Sequence, residues 1–178
     1  MVMEIEKTIF IFLNNLTGAS FGLDFLFYFF AEIMPIVMLL PFLYLLISSV
    51  KKNGYLIGEI MLAGLFARYL LVEIGRYFFP RTRPFIFLED VNLLLPYKES
   101  LSFPSGHTAF VFAISTAIYL KNKKIGKIFY LLSLLVGLSR IVTGVHWPLD
   151  IFTGALLGIA AGIIIGEGSE IVKKKIKW

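Results

Sequence analysis

The sequence predicts an all-α membrane protein, a bundle of five to six transmembrane helices preceded by an amphipathic N-terminal helix. The first observation is composition: 58% of the 178 residues are hydrophobic and only 16% are charged, with a mean hydropathy of +0.83. Soluble domains carry about 25% charged residues, so this balance excludes an ordinary water-soluble globule and a disordered chain. The second observation is a series of apolar stretches long enough to cross a bilayer. The third is the distribution of lysines between them.

Five apolar stretches have the length of a helix that crosses about 30 Å of hydrocarbon. They are predicted at residues 21–50, 55–79, 105–120, 125–142 and 148–165. The part of the first stretch before Pro35 is interpreted as a separate interfacial or re-entrant helix, or as a sixth span. An apolar set between Glu4 and Leu16 is too short to cross, which predicts an amphipathic surface helix within residues 1–20. Nothing marks a second domain, so residues 1–178 are predicted to form one.

Ten of the twelve lysines fall in three segments that five alternating spans place on one side of the membrane. These segments are residues 51–52, 121–127 and 173–177. The positive-inside rule makes that side cytoplasmic, together with the C-terminus. The opposite, extracytoplasmic side then holds the long 80–104 connection and the short 143–147 turn. In so apolar a chain, the net charge of +5 indicates this topology and attraction to anionic lipid rather than to nucleic acid.

Polar side chains from three distant segments gather at the predicted extracytoplasmic ends of the spans. The set combines three arginines, both histidines, an aspartate and a Ser-Gly pair: Arg76, Arg83, Ser105, Gly106, His107, Arg140, His146 and Asp150. Taken singly, each has an ordinary explanation, such as an arginine anchored at the bilayer edge or an aspartate at a helix start. Charge at a bilayer edge is costly, however, and the joint placement of all eight on one face favours a functional site.

The chemistry of this set suits a multiply charged oxyanion, most simply a phosphate. Three guanidiniums face no matching excess of carboxylates, and a helix that starts at Ser105-Gly106 adds free N–H groups and a positive helix end. A histidine with a nearby carboxylate is an oriented nucleophile or base, and the second histidine can protonate a leaving alkoxide. The sequence has no cysteine and no carboxylate cluster suited to magnesium, so the arginines must stabilise the charge. These residues suggest metal-independent phosphoryl transfer.

Three motifs occur in order along the middle and end of the chain. They are Arg76-x6-Arg83-Pro84, Pro104-Ser105-Gly106-His107 and Ser139-Arg140-x5-His146-x3-Asp150. Together they resemble the signature of the type 2 phosphatidic acid phosphatase superfamily, membrane lipid phosphatases that share it with vanadium haloperoxidases. One position departs from the pattern, because Arg76 stands where the family usually has lysine and puts a planar fork in place of a point donor.

The resemblance implies a role for each matched residue. His146 would attack phosphorus to form a phosphohistidine, Asp150 would orient its imidazole, and His107 would protonate the leaving oxygen and later activate water. Five groups would hold the phosphate oxygens: Arg76, Arg83, Arg140, Ser105 and the Gly106 amide. The resemblance implies neither a metal nor a cofactor, and vanadate is expected to inhibit by mimicking the five-coordinate state.

The resulting hypothesis is a lipid phosphatase at the extracytoplasmic face of a bacterial inner membrane. Short bacterial members act on undecaprenyl diphosphate, on phosphatidylglycerol phosphate or on the 1-phosphate of lipid A. We favour undecaprenyl diphosphate or lipid A, because both present phosphate outside the cell. Hydrolysis of phosphatidylglycerol phosphate or phosphatidic acid by the same mechanism is the alternative.

Two other classes of protein compete with this hypothesis. A phospholipid transporter would place its charges near the bilayer midplane between repeats, and the sequence has no internal repeat. A non-catalytic phospholipid-binding protein would need the arginines but would leave the histidine–aspartate spacing unused.

A few further residues carry weaker signals. Four glycines recur every fourth residue, a ridge that favours packing within the bundle over a dimer seam and leaves monomer and homodimer both open: Gly154, Gly158, Gly162 and Gly166. Glu73 lies one turn before Arg76 and is predicted to pair either with it or with Arg68. Glu32 and Glu59 receive no predicted role. The phenylalanines around the arginines are interpreted as an interfacial aromatic belt or a lipid entrance: Phe78, Phe79, Phe85 and Phe87.

Overall fold

The fold was obtained as a computed structural model, which describes residues 2–96 and 101–176. All regular secondary structure within these ranges is helical. Residues 97–100 of the predicted 80–104 connection, and Lys177 of the C-terminal lysine group, lie outside the described residues. The predicted all-α class is confirmed for the part of the chain that is described.

The described residues form nine α-helices and two π-helical turns. The α-helices are α1 (Val2–Asn14), α2 (Phe21–Tyr28), α3 (Met34–Val37), α4 (Leu40–Phe66), α5 (Val72–Phe78), α6 (Pro84–Phe87), α7 (Gly106–Lys121), α8 (Lys123–Val142) and α9 (Pro148–Ile176). Two π-helical turns, Phe29–Ile33 and Ala67–Leu71, join α2 to α3 and α4 to α5. Such turns insert an extra residue into a helix and often occur at functional sites.

Three helical segments within the described ranges are long and apolar enough to cross a membrane. They are Gly54–Phe78, Lys123–Val142 and Pro148–Val172, which correspond to the predicted second, fourth and fifth spans. The predicted count of five to six spans is not confirmed. Helix α7 has only 16 residues and is about 24 Å long. The first predicted span is divided between α2, α3 and the start of α4.

The predicted connection between the first two spans is wrong. Lys51 and Lys52 were expected in a loop, but both backbones lie inside α4, which continues to Phe66. The following Asn53-Gly54 pair does not break this helix, because a single interior glycine costs only about 1 kcal/mol and a proline is needed for a firm stop.

Helix α7 forms the buried centre of the bundle and packs closely against α9. A Cβ placed on Gly158 would lie 2.4 Å from the Ala109 carbonyl oxygen, and one on Gly162 would lie 2.8 Å from that of Ala113. Helix α7 therefore packs against the glycine ridge of α9, which confirms the predicted packing of this ridge within the bundle. On its other side α7 buries Ile114 against apolar residues of α4. Because its flanks are covered by protein, α7 does not need the apolar length of a lipid-exposed span.

Helix α1 lies across the ends of α8 and α9. Phe10 is buried against the Trp147 ring, with centroids 5.2 Å apart. The side chains of Asn14 and Thr17 donate to the Val142 carbonyl at 2.8 and 2.7 Å. The opposite face of α1 exposes large apolar side chains, namely Ile5, Ile9 and Phe12. This two-sided pattern suits a helix at a membrane interface.

The far end of the bundle carries a separate ion-pair cluster. Glu59 of α4 is almost fully buried and pairs with Lys121 at 3.1 Å, and Lys121 also contacts Glu170 of α9. The cluster ties the C-terminal end of α7 to both neighbouring helices. Glu59, which had no predicted role, is therefore a structural ion-pair partner.

Candidate active site

The connections at one end of the bundle are joined to each other by hydrogen bonds. Ser105, just before α7, donates its backbone N–H to the Asp150 carbonyl in α9 at 3.0 Å. Arg83, in the connection after α5, donates to the Val145 carbonyl at 2.7 Å. All three motif segments therefore meet at this end, although they lie far apart in sequence.

A tight turn after α8 presents His146. The backbone N–H of His146 donates to the Arg140 carbonyl at 3.2 Å. Gly144 has a φ of +84°, and a Cβ there would lie 3.0 Å from the Asn92 carbonyl oxygen. A glycine is needed at this position because other residues rarely adopt that conformation, and the site has no room for their side chains.

The His146 ring is oriented by Asp150. Nδ1 of His146 lies 3.3 Å from Oδ2 of Asp150, and the same oxygen accepts the Trp147 backbone N–H at 2.8 Å. A carboxylate beside Nδ1 favours the tautomer that carries its proton there, which leaves a lone pair on Nε2. Nε2 lies 3.4 Å from Nη1 of Arg83. The unprotonated nitrogen of this tautomer thus lies beside a guanidinium that can donate to it and can hold an anion.

His146 is held neutral by its surroundings. The pKa of its imidazole is lowered to about 4, mainly by burial, while the hydrogen bond and charge of Asp150 oppose this shift and the charges of Arg140 and Arg83 add to it. Only 1% of the side chain is exposed. A neutral imidazole is the form in which Nε2 can act as a nucleophile.

The low pKa of His146 predicts a folded state that loses stability as the pH falls. Above the ordinary value of 6.5 the ring is neutral in both states. Between that pH and about pH 4, the unfolded chain binds a proton that the folded chain excludes, so stability falls by up to about 3 kcal/mol. Thermal unfolding in detergent at about pH 7 and about pH 5 measures the part of this loss above pH 5, about 2 kcal/mol. His146→Gln cannot titrate and should lose less; equal losses would contradict the lowered pKa.

Arg83 and Arg140 are buried on either side of the His146 turn. Arg83 also donates to the Leu101 carbonyl at 3.2 Å, which ties the turn to the segment before α7. The Arg140 guanidinium donates to the Ala31 carbonyl at 3.3 Å and pairs with the Glu32 carboxylate. Glu32, which had no predicted role, is therefore the counter-ion of Arg140, a residue predicted to bind phosphate.

The start of α7 presents Ser105, Gly106 and His107. Ser105 is fully buried, and its Oγ accepts a hydrogen bond from Thr108 at 3.0 Å. His107 lies within electrostatic reach of the second histidine and of Arg83 and Arg140. The structure thus brings both histidines and two of the predicted arginines around the start of one helix.

Arg76 lies at the edge of this group and shares a carboxylate with a second arginine. Oε1 of Glu73 accepts from Arg76 at 2.7 Å and from Arg68 at 3.2 Å, so both of the predicted pairings of Glu73 occur. Arg68 belongs to the π-helical turn beside α7. A Cβ on Gly106 would lie 2.6 Å from its Nε. The Arg68 guanidinium therefore rests on the predicted phosphate-binding backbone.

Sequence reasoning missed four polar residues at this site. Arg68, Arg81 and Ser102 lie beside the motifs, and Arg81 even falls inside the Arg76-x6-Arg83 spacer, which was a usable signal. Ser102 donates to Oδ2 of Asp150, and Arg81 donates to Oδ1 at 3.2 Å. The fourth, Glu6, had no local signal, because only folding brings α1 to this end of the bundle.

A metal ion in a protein is usually held by several histidine, cysteine or carboxylate side chains. Among residues 2–96 and 101–176, no group of three or more His, Asp or Glu side chains has an arrangement that could hold one. The titratable groups at the site are instead surrounded by guanidiniums, which can carry the charge of an oxyanion themselves. Independence from metal remains a prediction for solution experiments.

Three curated proteins illustrate the similarity of the sequence to known proteins. Bacitracin transport permease protein BcrC of Bacillus licheniformis is 33% identical over 162 residues, covering 91% of this chain and 79% of that protein. Undecaprenyl-diphosphatase BcrC of Bacillus subtilis is 35% identical, with 69% of this chain and 61% of that protein covered. Lipid A 4'-phosphatase of Porphyromonas gingivalis is 30% identical, with 93% and 72% covered.

Two further comparisons concern the family and the fold. The profile described as the PAP2 superfamily matches residues 58–167, which include all three motifs. The crystal structure of Aquifex aeolicus LpxE superposes with a TM-score of 0.75 at 38% identity, covering 89% of this chain and 92% of that one.

Proposed function

Since the chain belongs to the PAP2 superfamily, we propose that this membrane-embedded phosphatase removes phosphate from envelope lipids, with undecaprenyl diphosphate or a phosphorylated lipid A as substrate. The observation that carries the proposal is the environment of His146. Its Nδ1 is bound to Asp150, and its Nε2 faces Arg83 at 3.4 Å. This is the arrangement that an attacking imidazole and a bound phosphate require.

The proposed reaction runs through a phosphohistidine. Nε2 of His146 forms a bond to phosphorus while the bond from phosphorus to the leaving oxygen breaks, and His107 gives that oxygen a proton. Water then attacks phosphorus and gives a proton to His107, and the electrons of the P–N bond return to Nε2. Asp150 keeps the second ring nitrogen protonated and stabilises the positive charge that the ring develops.

Phosphate binding is assigned to the charged and polar groups that surround Nε2. Arg83 lies closest to His146, and Arg140 is buried behind the same turn. The Ser105 hydroxyl and the Gly106 amide, at the start of α7, complete the binding groups near the histidines. Arg76 would reach the phosphate from the edge, where it replaces the usual lysine.

A second pair of cations supports a diphosphate substrate. Arg68 and Arg76 share Glu73 beside the start of α7, outside the pair formed by Arg83 and Arg140. Their side chains are 28% and 19% exposed, so an incoming phosphate can reach them. The second phosphoryl group of a diphosphate would meet Arg68, while Arg76 would still reach the transferred phosphate of either substrate.

Replacing Arg68 with glutamine is expected to affect diphosphates more than monophosphates. We expect kcat/KM for undecaprenyl diphosphate to fall about tenfold or more, the range measured for one lost hydrogen bond to a charged group. Undecaprenyl monophosphate should change less than about threefold, because Arg83 and Arg140 still hold the transferred group. Equal losses on both lipids would assign Arg68 to the attacked phosphate instead.

The proposed topology places the active site at the extracytoplasmic face and the C-terminus in the cytoplasm. The lysine distribution supports this orientation. Exposed aromatic side chains beside the site, including Tyr77, Phe78, Phe79 and Phe87, suit the bilayer interface. We also propose that residues 1–178 form one domain with five to six spans, and that α7 crosses the membrane covered by its neighbouring helices.

The test of the function is phosphate release by the purified protein in detergent with EDTA present. Undecaprenyl diphosphate, lipid A, phosphatidylglycerol phosphate and phosphatidic acid are compared side by side. We expect EDTA-resistant, vanadate-sensitive release that is fastest with one of the first two lipids. Release that requires added metal would contradict the mechanism, and a preference for either of the last two would move the substrate to the phospholipid phosphatases.

Transport is the second candidate, because the Bacillus licheniformis relative is named a transport permease. A phospholipid transporter would move labelled lipid across a vesicle membrane without releasing phosphate. Measuring both quantities in the same reconstituted vesicles separates the two functions. Lipid movement without phosphate release would favour transport.

A further inference from the structure

We propose that Glu6 of α1 is a positioning residue for the reaction, acting through Arg81 on the carboxylate that orients His146. The inference rests on the function proposed above and adds a residue far from all three motifs. It makes α1 part of the catalytic unit in addition to its role as an interfacial helix.

Glu6 is a buried carboxylate with a well-formed set of partners. Only 5% of it is exposed. Its two oxygens accept hydrogen bonds from the two terminal nitrogens of Arg81, and the bond from Nη1 to Oε1 measures 3.1 Å. Oε1 also accepts a hydrogen bond from the Leu149 backbone N–H at 2.9 Å. Burying a carboxylate is costly unless it is paired and hydrogen-bonded, so this fork-shaped pair is specific.

Arg81 connects Glu6 to Asp150. Its Nη1 lies 3.1 Å from Oε1 of Glu6 and 3.2 Å from Oδ1 of Asp150, so one nitrogen is shared by two carboxylates. The guanidinium also stacks over the Trp147 ring, with its carbon 5.0 Å from the ring centroid. These contacts hold the guanidinium on both its edge and its face.

The two oxygens of Asp150 have different partners. Oδ2 meets the His146 ring, the Trp147 backbone and the Ser102 hydroxyl, while Oδ1 meets Arg81. The backbone carbonyl of Arg81 also accepts a hydrogen bond from the Ser102 N–H at 2.8 Å. Because the Ser102 hydroxyl donates to Oδ2, this bond connects Arg81 to the carboxylate a second time. Arg81 therefore contributes to the rotation of the Asp150 carboxylate through the oxygen that the His146 ring does not contact.

Glu6 determines how strongly the Arg81 guanidinium attracts the Asp150 carboxylate. With Glu6 ionised, the arginine has a carboxylate of its own and makes one bond to Oδ1. Without that charge, Asp150 becomes the nearest counter-ion and is expected to turn towards the guanidinium. Turning would lengthen the bond to His146, which already measures 3.3 Å. The expected result is a slower chemical step with little change in substrate binding.

Helix α1 has other anchors, so the effect of Glu6 can be separated from the docking of the helix. Phe10, Asn14 and Thr17 hold α1 to the Trp147 ring and to the end of α8. Glu6→Gln keeps the size of the side chain and removes its charge. Glu4→Gln is the matched control, because Glu4 is exposed on the same helix.

The experiment compares these variants in steady-state hydrolysis of undecaprenyl diphosphate. We expect Glu6→Gln to lower kcat about tenfold or more and to change KM less than about threefold, while Glu4→Gln matches the wild type. Arg81→Met should show a similar loss. Adding Glu6→Gln to Arg81→Met should lower kcat no further, because Glu6 is proposed to act only through its contact with Arg81.

A second measurement does not depend on turnover. The chain has two histidines, so a protein labelled with ¹⁵N-histidine gives few imidazole signals, and His107→Gln assigns them. The proton on Nδ1 of His146 should shift or broaden in Glu6→Gln and stay unchanged in Glu4→Gln. An inactive wild type would overturn the proposed function, and this signal would still test Glu6.

Two results would overturn the proposal. One is a Glu6→Gln protein that loses thermal stability but keeps both its kcat and the wild-type Nδ1 proton signal, since Glu6 would then only anchor α1. The other is a double variant whose losses multiply, which would show that Glu6 does not act through Arg81.

Discussion

Replacing His146 with alanine is expected to lower phosphate release by on the order of 10⁴-fold or more, because the variant lacks the atom that we propose attacks phosphorus. The surrounding arginines would remain, so substrate binding should survive. The measurement is single-turnover release from undecaprenyl diphosphate, with binding measured separately by vanadate protection or ligand-induced stabilisation. A variant that binds normally and does not turn over is the expected outcome.

The covalent intermediate gives an independent check on His146. A rapid alkaline quench with labelled substrate should trap phosphate on the wild-type protein, in a linkage that acid then releases, as expected for a phosphorus–nitrogen bond. The His146→Ala protein should carry no label. Labelling of the variant, or activity within about tenfold of the wild type, would exclude His146 as the nucleophile.

Replacing His107 with alanine is expected to cost about 10²–10⁴-fold, with the size of the loss set by the leaving group. A leaving alkoxide, as from a lipid monophosphate, needs the proton most, so that substrate should show the larger loss. A leaving phosphate, as from a diphosphate, is stable with less protonation and should show the smaller loss. Measuring kcat for both substrates in the same variant tests the assignment.

The diphosphate also separates the two steps assigned to His107. Because His107 is proposed to activate water after the first step, the variant should accumulate phosphohistidine on this substrate. A labelled intermediate that builds up beyond the wild-type level supports the double role. The assignment of His107 as proton donor would be wrong if both substrates lost activity equally.

Much of the site could be predicted because its residues lie in short, ordered motifs. His146 and Asp150 are four residues apart across a helix start, so the chain itself places them together, and the structure shows 3.3 Å between them. The chemistry of Ser105-Gly106 likewise follows from its position before a helix. The role of each motif residue stays a prediction until the variants are measured.

The fold was predictable in class and less so in detail. Composition indicates membrane helices, and the described part of the chain contains three helical segments long and apolar enough to cross a membrane. The predicted count of five to six spans is not confirmed, because two helices depart from a uniform pattern of spans. Helix α7 is short because neighbouring helices cover it, and α4 runs through Lys51 and Lys52 because no residue there stops a helix. Both outcomes depend on contacts or continuity that a window of sequence does not contain.

By itself, the sequence determined the membrane class and the phosphatase family, because hydrophobicity and motif spacing are local properties. Tertiary structure alone decided two of the ion pairs, Glu32 with Arg140 and Glu6 with Arg81, whereas Glu73, which pairs with Arg68 and Arg76, was predicted to pair with one of them. Except for Glu73, these partners come from distant elements. Pairing over such distances depends on how the helices pack and rotate, since an ion pair forms only where packing brings the two charges within about 4 Å.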